Sequence, residues 1–212
     1  GEIVEVIGKE GTLHTEVTSI ARGFGIPVLF DNKSLLEADK INLEISEGES
    51  NNRLDFRSKN VFTIDPVDAK DFDDALSIEK LENGNYKVGV HIADVSHYVK
   101  AGTSIDKEAS VRGNSVYLVG KAIPMLPEKL SNNICSLVPN EDRLTFSVVF
   151  EMSEKGNLVN HQIAKTIINS KRRFTYEEAQ KIIESGEGDF SKEVILLNEL
   201  AKHIRSKRMK TG

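Results

Sequence analysis

Between Thr63 and Leu76 the sequence reads TIDPVDAKDFDDAL. It places five aspartates, Asp65, Asp68, Asp71, Asp73 and Asp74, within ten positions, with Lys70 as the one base among them. Carboxylates packed a few ångströms apart repel one another, and some are forced to bind protons. A fold can carry such a run as a solvated loop, by sharing protons, or by holding cations. The flanks bear on the choice. Val61, Phe62 and Ile64 in NVFTID read as a largely buried strand that delivers Asp65 at its C-terminal end, and ALSI opens another strand directly after Asp74. The run is pinned at both ends, and Ala69 and Phe72 sit inside it, which a purely solvated loop does not need. An acidic surface loop and a cation site both stay open at this point.

The spacing argues against a calcium EF-hand. With Asp71 and Asp73 as the first and third loop positions, Glu82 falls at the twelfth, but the fifth is Ala75 and the sixth, which the turn needs as glycine, is Leu76. A phosphatase of the aspartyl-phosphate type wants D-x-D immediately after an apolar strand, whereas DFD follows VDAK here. A magnesium site for phosphoryl transfer is the third reading. Mg²⁺ is hard and takes a few carboxylates plus water and substrate phosphate. Two such ions roughly 4 Å apart activate a water and stabilise the leaving oxygen. Asp65 at a strand end, with Asp71, Asp73 and Asp74 on the following turn, can converge on one point.

The other elements follow from periodicity and turn residues. EIVEVIG predicts a short strand, and EVTSIARGFG a helix with Val17, Ile20, Ala21 and Phe24 at helical spacing, ended by Gly23 or Gly25. SEGESNNR, residues 46–53, is polar and turn-rich and reads as a linker. ALSIEKL and YKVGVHIADV form a hairpin around an Asn-Gly turn, with His91 and His97 as strand residues. SIDKEASVRGNSVYL begins as a short helix and turns into a strand or loop. A second hairpin runs from LTFSVVFEM to LVNHQIAKTIINS around residues 154–157. Thr175 and Glu178 make a capping box for the helix TYEEAQKIIE, and Ser191 is the candidate cap of a last helix with a basic end. Hairpins interleaved with helices predict an α+β fold, a mixed and largely antiparallel sheet flanked by helices.

The chain of 212 residues, 39% hydrophobic, suits one globular domain or one domain with an appendage. Its net charge of −5 gives no bulk sign of nucleic-acid binding, though localised charge decides that question. The single cysteine, Cys135, precludes an internal disulfide and fits a reducing compartment, and no apolar run is long enough to span a membrane; a cytoplasmic location is expected. The chain opens on Gly1 and ends on the basic stretch AKHIRSKRMKTG. Both ends read as cut edges, so a piece of a longer protein is expected.

TIDPVDAKDFDDAL, followed in order by VGVHIADVSHYV, SVYL, IPMLPEKLSNNICSL and EDRLTFS, resembles the catalytic RNB domain of the ribonuclease II and ribonuclease R family, nearer the ribonuclease R branch. The likeness runs from about Arg53 to the end of the chain. Residues 53–212 would then be the N-terminal portion of an RNB domain, and residues 1–52 the end of a cold-shock, OB-type domain with its linker. The resemblance implies a processive Mg²⁺-dependent exoribonuclease that works on single-stranded RNA from 3′ ends and releases nucleoside 5′-monophosphates. It implies Asp65, Asp71, Asp73 and Asp74 as the metal-binding aspartates, with Asp73 indispensable for chemistry. Asp68 matches none of them and reads as a solvated neighbour. Tyr117 in SVYL and Tyr176 in FTYEEA match aromatics that stack on bases, a contact any base can make. The family domain continues past the equivalent of Gly212, where it supplies a further clamp aromatic, an essential arginine and much of the RNA channel.

Among the remaining residues, His91 and His97 read as packing or hydrogen-bonding groups. Asp94 reads as a neighbour of the metal ligands or a strand-end cap, and Cys135 as a small buried side chain. IPMLP reads as a rigid loop near the substrate path or a packing turn. The basic stretch from Lys202 to Lys210 is either an RNA-phosphate contact or a solvated helix face. Two functions of different class stand: the exoribonuclease, and a catalytically inactive RNA- or cation-binding module. The presence of all four aspartates favours the first. No protein partner is indicated.

Overall fold

In the computed structural model, which describes residues 2–3 and 5–211, contacts divide the chain into two compact units. One comprises residues 1–42 with 96–131, the other residues 43–95 with 132–212. Along the chain run α1 (Leu13–Gly23), α2 (Asn32–Asp39), α3 (Glu47–Asn51) and β1 (Leu54–Asp55). There follow β2 (Val61–Asp65), β3 (Asp74–Lys80), β4 (Tyr86–Ala93), α4 (Val95–Tyr98), α5 (Ser104–Arg112) and the short hairpin of β5 (Val116–Leu118) and β6 (Lys121–Ile123). A π-helical turn at Leu130–Ile134 precedes β7 (Asp142–Met152), β8 (Leu158–Asn169), β9 (Arg172–Thr175), α6 (Tyr176–Ser185) and α7 (Ser191–Thr211).

The larger unit is built on a seven-stranded sheet in the order β1-β8-β7-β4-β3-β2-β9. Only β1–β8 and β2–β9 are parallel pairs; the rest are antiparallel, so the α+β expectation holds. The first hairpin turns on Asn83-Gly84, where Gly84 takes φ of 85°, a conformation that glycine adopts without steric cost. On one face, Phe62 and Phe174 from β2 and β9 bury against Ala179, Ile182 and Val194 from α6 and α7. Further along, Ile78, Tyr86, Val88 and Met152 meet Leu200 of α7. The capping box that starts α6 is present: the Thr175 hydroxyl accepts from the Glu178 N–H at 3.1 Å, and the Glu178 carboxylate accepts from the Thr175 N–H at 2.8 Å.

In the smaller unit, α2 is tied to α5 through the Glu37 carboxylate, which accepts the Ser104 N–H at 2.7 Å. Arg112 stacks on Phe30 at 3.7 Å and donates to the carbonyls of Pro27 and Leu29. IPMLP is a packing turn: Ile123 and Leu126 are buried, and the Met125 N–H donates to Ser115 Oγ.

Five local expectations change. EIVEVIG forms no strand in its described residues; Val4 lies outside them. Residues 46–53 hold a helical turn, because Ser46 Oγ caps the Glu49 N–H and Glu47 and Glu49 suit the helix N-terminus. α1 buries Val17, Thr18 and Ala21 but leaves Ile20 and Phe24 exposed, so its inward face is rotated from the predicted stripe. His97 lies on α4, because the chain leaves the sheet at Asp94, whose N–H donates to Leu144 O. At α7 the carbonyl of Phe190 accepts the Val194 N–H, which makes Ser191 the first helical residue and not the cap. Phe190 is held there at φ of 50° by stacking on Phe62.

Candidate functional site

Asp65 closes β2 and pairs in register with Thr175 of β9, and Asp74 opens β3 opposite Ile92 of β4. The acidic run is thus the connection between two adjacent strands. It is fastened along its length. The Phe72 N–H donates to Ser136 Oγ at 3.0 Å, and that hydroxyl donates to Lys70 O at 3.1 Å. The Leu137 N–H donates to Phe72 O, and the Ala93 N–H to Asp73 O. Arg173 of β9 donates to Pro66 O, and its guanidinium lies 5.4 Å from the centre of the Phe72 ring. These bonds exclude the freely solvated loop that composition alone allows.

The carboxylates feel one another. Burial pushes the Asp65 carboxyl above the usual range; Asp74 and Asp71 push the same way, against the Thr63 hydroxyl and the Arg173 guanidinium. Thr63 Oγ1 is itself buried without a hydrogen bond of acceptable geometry, so it acts on Asp65 as a nearby dipole. Asp73 is also pushed up, first by burial and then by Asp71, Asp74 and Asp65. Its residue surface stays open to water, so the crowding is one-sided and solvent tempers the repulsion. Asp68 is exposed and is not among the charges acting on Asp65 or Asp73. The structure therefore brings Asp65, Asp71, Asp73 and Asp74 into one electrostatic group.

That group suits a hard cation in its chemistry. All its donors are carboxylate oxygens, their repulsion is of the kind a cation relieves, and Asp65 Oδ2 is buried with no hydrogen-bond partner. Among the described residues, no three His, Cys, Asp or Glu side chains are gathered as a ready-made metal cage. Mg²⁺ characteristically retains waters and shares its shell with substrate phosphate, which asks less of the protein than a full cage.

Tyr176 is the first residue of α6, one position beyond the register partner of Asp65, and is exposed. Tyr117 lies in the smaller unit on β5, opposite Ala122, and is also exposed. Asp94 is fully buried and paired with Arg53 at 2.7 Å, a bond that anchors the start of the larger unit. Cys135 is buried, and its thiol is pushed up to about 12, chiefly by burial, which leaves it inert as a nucleophile. The last turns of α7 are exposed, with Lys207 bonded to Asn157 Oδ1 and Lys155 O.

Sequence reasoning missed Arg173 and Ser136, the two side chains that hold the acidic connection. Arg173 had a signal, a base pair of residues directly before an aromatic strand position; Ser136, 64 residues from Phe72, had none. It also missed a buried polar chain beneath the sheet. His91 bonds Ser77 Oγ at 3.0 Å and Ser147 Oγ at 2.7 Å, and Ser147 continues to Thr166 and Thr145. Gly89 makes this reach feasible: a Cβ there would stand 2.5 Å from both His91 Nε2 and Ser77 Oγ.

Residues 53–212 match the RNB domain family. Ribonuclease R 1 of Lactococcus lactis is 41% identical over 98% of this chain, which spans 27% of that protein's length. Among solved structures, Mycoplasma genitalium RNase R in complex with ribose-methylated single-stranded RNA superposes with a TM-score of 0.90. It is 27% identical, and the match covers 98% of this chain and 33% of that one. Yeast Ssd1, described as a pseudonuclease, shares the fold, with a TM-score of 0.81 at 21% identity over 96% of this chain and 26% of its own. The chain belongs to the RNB family. It spans roughly a quarter to a third of the length of the curated relatives it matches. Among the described residues, no helix is long and apolar enough to cross a membrane.

Proposed function

We propose that this chain carries the metal-binding part of a Mg²⁺-dependent exoribonuclease, which shortens single-stranded RNA from the 3′ end and releases nucleoside 5′-monophosphates in the cytoplasm. The observation that carries this reading is the group Asp65, Asp71, Asp73 and Asp74: four carboxylates on one fastened connection, with Asp65 and Asp73 disfavoured as anions and one buried oxygen unpartnered. Mg²⁺ bound there would supply an activated water and charge stabilisation for phosphodiester hydrolysis. The chain's own residues have separable tasks. The four aspartates hold the cation, with Asp73 the one whose loss ends chemistry. Arg173 and Ser136 hold the connection in shape, so that its carboxylates stay together despite repulsion. Tyr176 and Tyr117 offer exposed rings for base stacking, which grips RNA without reading sequence. Residues 53–212 act in this reading as the first portion of the RNB domain, and residues 1–52 as the end of an OB-type domain.

The competing reading is an inactive module that binds RNA or a cation; yeast Ssd1, described as a pseudonuclease, shares the fold. The test is digestion of 5′-labelled single-stranded RNA with Mg²⁺ or chelator, beside Asp73→Asn. The expected result is a chelator-sensitive ladder shortening from the 3′ end, absent in the variant, whose RNA affinity survives. If the bare chain yields no ladder, a chain extended through the full RNB domain decides. A dead extended chain with all four aspartates intact would overturn the enzyme reading.

A further inference from the structure

The sheet has a notch where β2 begins. β2 pairs with β3 only up to Val61 opposite Ser77, so Ile78, Glu79 and Lys80 of β3 have no β2 neighbour. The turn 56–60, the first turns of α7 and the edge of β3 enclose a cavity of about 450 Å³ there. Its apolar floor is Phe56, Ile78 and Leu196, and its charged wall is Lys59, Lys80, Lys87 and Lys192 against Glu79 and Glu193.

Four lysines against two glutamates leave an excess of two positive charges in a chain whose net charge is −5. The glutamates are committed. Glu79 takes Lys59 at 2.6 Å and Lys87 at 3.6 Å; burial alone would raise its carboxyl, but these lysines hold it below the usual range. Glu193 accepts from Asn60 Nδ2 at 2.7 Å. Lys80 reaches Glu154 only at 3.5 Å in an exposed pair, and such pairs are weak. Among the described residues Lys192 has neither hydrogen bond nor ion pair, and it stands in the first turn of α7, where a helix favours acids. An unpaired base in a place that disfavours bases leaves the wall short of an anion.

We infer that this cavity is a binding site for a nucleoside 5′-monophosphate, separate from the acidic connection. A phosphate monoester carries about −1.5 to −2 charges at neutral pH, which matches the lysine excess. The volume lies in the range of small-ligand sites, about 300–1,000 Å³, and leaves room for a base and ribose against the apolar floor beside the phosphate. Lysines serve as point charges for such a group. The phosphate assignment rests on the lysines alone; the nucleotide assignment rests on the proposed function, which releases that molecule. Ser77, the lining residue of β3 nearest the acidic connection, lies three residue steps from Asp74, so about 10 Å of strand separates the site from the aspartates.

The experiment is calorimetric titration of AMP into the chain in chelator, where no turnover occurs, so that failure of the exonuclease reading and failure of this one are told apart. AMP is expected to bind at a single site, and adenosine at least ~10-fold more weakly, a difference of about 1.4 kcal/mol. Lys192→Glu is expected to weaken AMP by a similar factor while the thermal transition is kept, because an acid suits that helix turn. Asp73→Asn is expected to leave the affinity unchanged. Absence of AMP binding, equal affinity in Lys192→Glu, or loss in Asp73→Asn would each overturn the site. The phosphate has two sources, and competition separates them. A 5′-phosphorylated RNA oligonucleotide that fails to displace AMP supports the free mononucleotide, and one that displaces it while its 5′-hydroxyl counterpart does not would transfer the site to an RNA end.

Discussion

His91 should make the stability of this protein fall with pH in a calculable way. The imidazole is fully buried between Ser77, Ser147 and the edge of Phe56, with no acid among these partners. Burial pushes its pKa down from 6.5 to about 4. In the unfolded chain it takes a proton near 6.5, so the unfolded state binds more protons than the native state between those values. The neutral ring's contribution is therefore complete above about pH 6.5 and is lost as pH falls towards about 4. Each pKa unit corresponds to about 1.4 kcal/mol, so the full loss is about 3 kcal/mol, and about 2 kcal/mol has gone by pH 5. Asp65 and Asp73, whose pKa values are raised, act in the opposite sense at low pH, so the comparison must be a difference. The assay is urea unfolding at pH 7 and pH 5 for the native sequence and for His91→Gln, which bonds but does not titrate. Far-UV circular dichroism is the signal, since the chain has no tryptophan. The native sequence should lose about 2 kcal/mol more than the variant over this interval. Equal losses would refute the burial argument and mean that the folded imidazole titrates as it does in water.

Asp94→Ala leaves the buried Arg53 guanidinium with Glu49 as its remaining carboxylate and should cost about 1.5–3 kcal/mol, measured by urea unfolding at pH 7. Gly89→Ala drives a Cβ into His91 and Ser77 and should cost about 1–3 kcal/mol; a neutral result would show that the imidazole leaves Ser77 readily. Asp73→Asn removes a charge that burial and three carboxylates disfavour. It should raise the melting temperature in chelator, and Mg²⁺ should stabilise the native sequence more than the variant.

The parts of the fold that were legible in the sequence are those governed by local chemistry. The Asn83-Gly84 turn, the Thr175–Glu178 capping box and the strand that delivers Asp65 each rest on residues within a few positions of one another, and each stands where the sequence puts it. The grouping of Asp65, Asp71, Asp73 and Asp74 was legible for the same reason. What fastens them was not. Ser136 and Arg173 come from segments 64 and 107 residues away from the backbone groups they bind, and nothing local distinguishes that serine from any other. EIVEVIG shows the converse failure: alternation gives a strand its pattern but does not supply a neighbour to pair with.

A connection that carries four mutually repelling carboxylates would, left to itself, open and let water screen them. Here it cannot open far, because its main chain is bonded at Pro66, Lys70, Phe72 and Asp73 to β9, to the segment before β7 and to the end of β4. The two strands it joins are interior members of the sheet. Repulsion that cannot relax by motion, and that water reaches from one side only, is further relieved by a proton or by a cation. In the proposed reading that cation is Mg²⁺, and a connection already fixed in shape would bind it without first having to gather its carboxylates.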